Sequence, residues 1–130
     1  MTRGTVLYIE DNAANLSLVE RLLEQRPEVR LLTATEGRLG LALARDRRPD
    51  LILLDLHLPD MEGEDVLRQI RQDPDLRQTA VIVLSAEADT DLPARMRAAG
   101  AQGYLMKPLD FPQFFALVDA TLSEGGAPGR

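Results

Sequence analysis

The sequence lacks several residue types that common protein functions require. Its 130 residues include no cysteine and no tryptophan, a single histidine (His57), a single lysine (Lys107) and only 4% aromatic residues. Without cysteine there is no disulfide framework, no thiolate metal site and no cysteine nucleophile. One histidine cannot build a multi-histidine zinc site. So few aromatic residues also exclude a surface that stacks nucleic-acid bases.

The chain also has fewer basic than acidic residues. The chain has 21 acidic against 15 basic residues, which gives a formal charge of −6. Surfaces that bind nucleic acid or anionic membranes need clustered positive charge, so we expect neither partner. No segment approaches the roughly 20 consecutive apolar residues of a membrane helix, and the first residues contain no apolar signal region. We therefore expect a soluble, cytoplasmic globular domain.

Short apolar runs alternate with amphipathic segments along the whole chain. The runs are rich in β-branched residues and typical of buried strands. They occupy residues 5–9, 29–34, 51–54, 80–84 and 104–106. Asn12 or Asn15 is expected to cap the first helix. In the second helix, Leu39, Ala42 and Leu43 are expected to face the core.

Five strands alternating with five helices predict an α/β fold. Each right-handed crossover places a helix against the sheet, so the sheet is expected to be parallel and covered on both faces. At this size the commonest solution is the flavodoxin-like, doubly wound (βα)5 fold with strand order 2-1-3-4-5, which we take as the prediction. The last helix is expected over residues 109–122. We expect one domain over residues 1–124 and a flexible tail over residues 125–130.

Charged and hydroxyl side chains stand at the carboxyl ends of the predicted strands. Glu10 and Asp11 follow the first strand, Asp55 the third, Ser85 the fourth and Lys107 the fifth. In open α/β sheets the functional crevice lies at this edge, so these side chains are expected to converge. Crowded carboxylates repel one another unless a cation neutralises them, and Mg²⁺ prefers such oxygen ligands.

This combination of groups suits phosphoryl chemistry. An aspartate beside a divalent metal, with a lysine opposite, is equipped to attack phosphorus and become an acyl phosphate. The metal and the ammonium would stabilise charge on the phosphoryl oxygens, and the hydroxyl would donate a hydrogen bond to one of them. The residues therefore predict an aspartyl-phosphate site.

Five short motifs, each at the end of a predicted strand, occur in order along the chain. They are Tyr8-Ile9-Glu10-Asp11-Asn12, Asp50-Leu51-Ile52-Leu53-Leu54-Asp55, Leu58-Pro59-Asp60-Met61-Glu62-Gly63, Leu84-Ser85-Ala86 and Gly103-Tyr104-Leu105-Met106-Lys107-Pro108. Together they resemble the receiver domains of response regulators in two-component signalling, over about residues 5 to 122. The Tyr8-Ile9-Glu10-Asp11-Asn12 start, the Asn15 after it and the Lys107-Pro108-Leu109-Asp110 end are similar to receivers attached to hybrid histidine kinases. A single-domain response regulator is the alternative.

The resemblance implies roles for four residues in the phosphoacceptor and metal site. Asp55 would accept the phosphoryl group from a phosphohistidine. Asp11, Asp55 and the backbone carbonyl of His57 would hold Mg²⁺, with Glu10 acting through water. The family often has two aspartates where this chain has Glu10 and Asp11, a frequent substitution that leaves the assignment in place.

The resemblance also implies how the phosphorylated state is sensed. Ser85 and Lys107 would contact the phosphoryl group, and the peptide bond between Lys107 and Pro108 would be cis. Tyr104 would act as an aromatic switch that turns inward as Ser85 moves toward a phosphoryl oxygen. Ordinary core packing is the alternative for Tyr104.

Partners follow from the same resemblance. The only histidine lies beside the acceptor strand, so the phosphodonor is expected to be a separate histidine kinase or histidine phosphotransfer domain. The output would be a downstream protein or a covalently linked domain. The chain would be a signalling phosphoacceptor that assists its own phosphorylation and dephosphorylation, and a monomer when unphosphorylated. Leu16, Leu18 and Leu109 fit either a docking face for the donor or core packing.

Three other kinds of protein were weighed against this interpretation. Residues Asp55 to Asp60 are similar to the Asp-x-His-x-x-Gly motif of cobalamin-binding modules, but Asp60 replaces the glycine and the motif follows the third strand. A flavodoxin-type flavin protein would need a hydroxyl- and glycine-rich loop where Glu10 and Asp11 stand. A haloacid-dehalogenase-type phosphatase would have a second aspartate at the position of His57.

The side chain of His57 has two interpretations. It and Glu87 lie two residues past Asp55 and Ser85, so it could modulate the lifetime of the phosphorylated state. The alternative is a side chain that simply faces solvent.

Overall fold

Strands and helices alternate from one end of the chain to the other. The computed structural model describes residues 4–87 and 89–125. The strands are β1 (Gly4–Ile9), β2 (Val29–Ala34), β3 (Leu51–Asp55), β4 (Ala80–Ser85) and β5 (Gly103–Met106). The helices are α1 (Ala13–Leu23), α2 (Gly37–Arg47), α3 (Gly63–Gln72), α4 (Leu92–Ala98) and α5 (Phe111–Gly125). No helix in these described ranges is long and apolar enough to cross a membrane.

The five strands form one parallel sheet in the order β2-β1-β3-β4-β5. This confirms the flavodoxin-like order predicted from the sequence. The register pairs Ile9 with Leu54, Asp55 with Leu84, and Ser85 with Met106. The residues that follow these strand ends therefore lie at one edge of the sheet, as a parallel arrangement requires.

Each face of the sheet is covered by its own layer of helices. Successive side chains of a strand point to opposite faces, so neighbours in sequence enter different cores. On β1 and β3, one face presents Leu7, Ile9, Ile52 and Leu54 to α2, α3 and α4, and the other presents Val6, Tyr8, Leu51 and Leu53 to α1 and α5. Burial on both faces explains why these strands are apolar without alternation.

The start of α1 resolves the choice between two capping residues. Asn12 is the N-cap, and its side-chain oxygen accepts a hydrogen bond of 3.0 Å from the backbone N–H of Asn15. The side chain of Asn15 points elsewhere, as described below. At the other end of the chain, α5 begins at Phe111 and continues to Gly125. The rest of the predicted tail, residues 126–130, lies outside the described residues.

The predicted inner face of α2 is wrong at two of its three residues, since only Leu43 packs against the core. Leu39 is 46% exposed, and Ala42 is exposed as well. The buried positions of the helix include Gly37 and Gly40. A Cβ at Gly40 would lie 2.4 Å from Cδ1 of Ile9, and one at Gly37 would lie 2.4 Å from Cγ of Met61. The helix backbone thus packs directly on neighbouring side chains, an approach that only glycine permits.

Candidate functional site

Carboxylates from two strand ends meet at the predicted edge of the sheet. Glu10 and Asp11 follow β1 and Asp55 ends β3, and each can offer an oxygen that lies within 4.8 Å of the oxygens of the other two. Glu10 and Asp55 are buried, whereas Asp11 is exposed. Lys107, which follows β5, reaches into this group and places its Nζ 2.8 Å from Oδ1 of Asp55 and 2.6 Å from Oε1 of Glu10.

Asp55 is held by a donor on each of its carboxylate oxygens. Lys107 donates to Oδ1, and the backbone N–H of His57 donates to Oδ2 at 3.1 Å. Burial nevertheless raises the pKa of Asp55, and the nearby charge of Glu10 acts in the same direction, against the lowering effect of Lys107. The fold therefore disfavours the charged form of this carboxylate when no cation is bound.

Glu10 is better compensated, although it shares the same lysine. Its Oε1 accepts hydrogen bonds from Lys107, from the Tyr8 hydroxyl at 3.0 Å and from Nδ2 of Asn15 at 3.0 Å. Its Oε2 accepts only a long contact of 3.4 Å from the backbone N–H of Asn12. Burial alone would raise the pKa of Glu10, but the bonds from Lys107, Tyr8 and Asn12 outweigh it and lower the pKa.

Lys107 remains a cation between these two acids. Burial would lower the pKa of its ammonium, but the hydrogen bonds and charges of Asp55 and Glu10 raise it. The peptide bond between Lys107 and Pro108 is cis. The ammonium therefore provides a fixed positive charge beside Asp55 Oδ1, where a phosphoryl group attached to this carboxylate would lie.

Ser85 and Tyr104 lie on neighbouring strands of the same sheet. Ser85 is 1% exposed, and its hydroxyl oxygen accepts a hydrogen bond of 3.0 Å from the backbone N–H of Glu87. Tyr104 is half-buried and packs against the core under α4. Its hydroxyl is buried and has no hydrogen-bond partner among the described residues.

The loop between β3 and α3 is fastened at three points. His57 and Glu62 form a β-bridge, and the backbone N–H of Gly63 donates to the carbonyl of Leu56 at 2.7 Å. The carboxylate of Asp60 accepts hydrogen bonds from the backbone N–H groups of Gly37 at 2.7 Å and residue 38 at 2.9 Å. Asp60 therefore ties this loop to the start of α2.

The imidazole of His57 lies outside the carboxylate cluster. Its side chain is 63% exposed, its Nε2 contacts Oε1 of Glu87, and its Nδ1 lies 3.6 Å from Oε2 of Glu62. The ring therefore faces solvent and also contacts the loop that follows Ser85, and an effect of His57 on the lifetime of the phosphorylated state stays a prediction.

Sequence reasoning missed two side chains at the site, Tyr8 and Asn15. Tyr8 stands two residues before Glu10, and period-two alternation along a strand places both on the same face. Asn15 lies in the first turn of the helix that follows. These two spacings were the available signals, but neither residue type alone indicates a contact with a carboxylate.

The donor set of the carboxylate cluster fits Mg²⁺. Glu10, Asp11 and Asp55 offer oxygen ligands only, without the nitrogen or sulfur ligands that favour zinc. Asp11 is exposed, so an ion can reach the cluster from solvent while keeping part of its water shell.

Comparison with known proteins identifies the family. The family model of the response regulator receiver domain matches residues 6–119. The chain belongs to this family. This receiver domain is also 34% identical over 120 residues to the polar-differentiation response regulator DivK of Brucella anthropi, with 92% of this chain and 97% of DivK covered.

Solved structures agree with this assignment. The signal receiver domain of a protein described as a LuxO repressor, from Vibrio parahaemolyticus, is 32% identical with a TM-score of 0.88, covering 95% of this chain and 92% of that one. The receiver domain of the sensor histidine kinase PA1611 from Pseudomonas aeruginosa is 27% identical with a TM-score of 0.83, covering 92% of this chain and 98% of that one. That structure has a magnesium ion coordinated in its active-site cleft. Receiver domains act in two-component signalling, so the cobalamin, flavin and phosphatase alternatives are set aside.

Proposed function

We propose that this receiver domain accepts a phosphoryl group on Asp55 from a phosphohistidine donor in a Mg²⁺-dependent reaction. The observation that carries the proposal is the surroundings of the Asp55 carboxylate. Lys107 Nζ lies 2.8 Å from Oδ1, and oxygens of Glu10 and Asp11 lie within 4.8 Å. A positive charge and a cluster of oxygen ligands beside the same carboxylate are what an attacking carboxylate requires.

Each residue has a role in the transfer. A carboxylate oxygen of Asp55 attacks the phosphorus, the bond to the donor's histidine nitrogen breaks, and the imidazole leaves with the electron pair. Bound Mg²⁺ supplies neutralisation of the developing charge. Asp11, Asp55 and the His57 carbonyl would hold it directly, and Glu10 would act through water.

The remaining site residues recognise the product. The ammonium of Lys107 contacts the phosphoryl oxygens, because charge-assisted hydrogen bonds of this kind are the strongest available at the site. The hydroxyl of Ser85 donates to another phosphoryl oxygen. To make this bond, Ser85 moves toward the phosphoryl oxygen. Its movement allows Tyr104 to turn inward as the aromatic switch, which transmits the phosphorylated state to the outer surface of β5.

Partners and catalytic character follow from this chemistry. The donor is a histidine kinase or a histidine phosphotransfer domain, and the receiver controls a downstream protein or a linked output domain. The receiver assists its own phosphorylation and dephosphorylation but turns over no separate substrate. A monomeric unphosphorylated state and a cytoplasmic location stay predictions.

The test is phosphorylation by a small phosphodonor. Incubation with acetyl phosphate and Mg²⁺ should add one phosphoryl group to the wild-type chain, as read by intact mass, and chelation of Mg²⁺ should suppress the gain. Asp55→Asn should abolish it. Asp46→Asn is the matched control, because it makes the same chemical change at an exposed carboxylate on α2. Undiminished labelling of Asp55→Asn would refute the proposal.

A further inference from the structure

We propose that Tyr8 and Asn15 are positioning residues that hold Glu10 in place when Lys107 leaves it for the phosphoryl group. This inference rests on the proposed function and deepens it. Both residues donate to Oε1 of Glu10 at 3.0 Å, and neither is among the residues to which the family resemblance assigns a role.

The two oxygens of Glu10 differ in how they are occupied. Oε1 accepts three donors, from Tyr8, Asn15 and Lys107, which exceeds the two lone pairs of a carboxylate oxygen. Oε2 has one long contact of 3.4 Å with the backbone N–H of Asn12. The acceptor capacity of Oε1 is therefore used up by hydrogen bonds within the protein. Oε2 is the oxygen with lone pairs free to accept a hydrogen bond from a metal-bound water.

Both neutral donors are fixed by the fold. Tyr8 lies on β1, is 1% exposed and packs in the core under α1 and α5, so its ring is held with the hydroxyl against Glu10. Asn15 lies in the first turn of α1, where its backbone N–H is bonded to the side chain of the N-cap residue Asn12. Donors on rigid elements hold a site residue more accurately than donors on loops.

Lys107 is the donor that the reaction must move. In this structure its ammonium is divided between Glu10 and Asp55 at 2.6 and 2.8 Å. When it turns to a phosphoryl oxygen, Oε1 keeps two donors from Tyr8 and Asn15. Without them, Oε1 of the buried Glu10 carboxylate would depend on Lys107 alone and would compete with the phosphoryl group for it. Tyr8 and Asn15 thus free the lysine while keeping Glu10 oriented toward the metal.

The test measures Mg²⁺ affinity by calorimetry in the absence of a phosphodonor. Removing a partner that orients a metal-binding group typically weakens metal binding about 10-fold or more. We expect Tyr8→Phe and Asn15→Ala each to raise the Kd for Mg²⁺ by about 10-fold. Ser17→Ala is the control, because Ser17 is exposed on the same helix, and it should leave the Kd unchanged.

A second set of variants, made in the Glu10→Asp protein, distinguishes the positioning of Glu10 by Tyr8 from a general loss of packing. Glu10→Asp shortens the side chain by one methylene and withdraws the carboxylate from the Tyr8 hydroxyl. In that background Tyr8→Phe should cause no further loss of Mg²⁺ affinity. An unchanged Kd in both single variants, or an equal loss from Tyr8→Phe in the two backgrounds, would overturn the inference. Failure of the wild-type chain to bind Mg²⁺ or to be labelled by acetyl phosphate would instead overturn the proposed function.

Discussion

The two tyrosines of the chain use their hydroxyl groups in opposite ways. The hydroxyl of Tyr8 donates to Glu10, and burial together with that carboxylate raises the pKa of Tyr8, so it remains a donor at all ordinary pH values. The hydroxyl of Tyr104 is buried with no partner in the described part of the chain. A buried polar group without a partner keeps its full desolvation cost.

This contrast predicts opposite effects of the same substitution on stability. Tyr104→Phe should raise the free energy of unfolding by about 1 kcal/mol, because it removes an unsatisfied hydroxyl. Tyr8→Phe should lower it by about 2 kcal/mol, because it removes a hydrogen bond to a charged group. Urea unfolding of both variants without Mg²⁺ measures the difference. A destabilised Tyr104→Phe variant would mean that its hydroxyl is satisfied in solution.

Individual residues differ in how far the sequence revealed them. Asp55 and Lys107 could be predicted, because each directly follows an apolar strand and parallel strands bring their ends together. Lysine is also the compact point charge suited to a phosphate, and this chain has only one. Arg71 could not be predicted, since nothing in its spacing distinguishes it from the other arginines. Its guanidinium fastens α3 to the α4–β5 turn by donating to the carbonyl of Gly100 at 2.6 Å.

At the scale of elements, the loops after β3 and β4 are joined across the mouth of the site. His57 of the first loop contacts Glu87 of the second through Nε2 and Oε1. The same loops position the backbone N–H groups that bond Asp55 and Ser85. The contact therefore links the loop of Asp55, the proposed acceptor, to the loop of Ser85, the residue proposed to sense its phosphorylation.

Breaking this contact should shorten the life of the phosphorylated state. In His57→Ala and Glu87→Ala the two loops lose their side-chain link, which opens a path for water to the acyl phosphate. We expect severalfold faster loss of the phosphoryl group after the phosphodonor is removed, followed by intact mass. Glu62→Ala is the matched control, because Glu62 lies 3.6 Å from the other ring nitrogen and belongs to the same loop as His57. Equal lifetimes in all three variants and the wild type would leave His57 without this role.

How well a strand or helix could be predicted from the sequence depended on what packs against it. β3 was found readily because it is buried on both faces and apolar throughout. The inner face of α2 was predicted only in part. It is formed by Gly37, Gly40, Leu41 and Ala44, and a pattern of large apolar residues does not register the two glycines, whose close approach needs no side chain. The start of α5 was placed two residues early, because Leu109 continues the apolar spacing while lying before the helix.

At the scale of the whole molecule, two apolar cores meet a buried charge cluster at one edge of the sheet. Among the described residues, the buried polar or charged side chains are Glu10, Asp55 and Ser85, and all three belong to the candidate site. Buried carboxylates at one place reduce stability unless something compensates them. Burial of these carboxylates therefore lowers the free energy of unfolding, and binding of a cation at the same site would offset this loss.

The raised pKa of Asp55 makes the destabilising effect of its burial measurable. Its pKa is raised, so its unfavourable effect is absent below the unfolded pKa, develops as pH rises through the folded pKa, and is fully present at neutral pH. Asp55→Asn should therefore raise Tm at neutral pH without metal. Glu10 acts oppositely, since its lowered pKa contributes stability that is lost as pH falls through the folded pKa.

Mg²⁺ should stabilise the wild type and have little effect on the Asp55→Asn variant. A ligand that binds only the folded state at 100 times its Kd adds about 2.7 kcal/mol of stability. Because Asp55→Asn removes both the repulsion and a proposed metal ligand, its Tm should start higher and rise little as Mg²⁺ is added. Thermal melts over a Mg²⁺ titration, at fixed ionic strength, measure both effects. Equal increases of Tm with Mg²⁺ in the two proteins would mean that the ion binds elsewhere. A lower starting Tm for Asp55→Asn would show that the hydrogen bonds from Lys107 and the His57 backbone outweigh the effect of burial on this carboxylate.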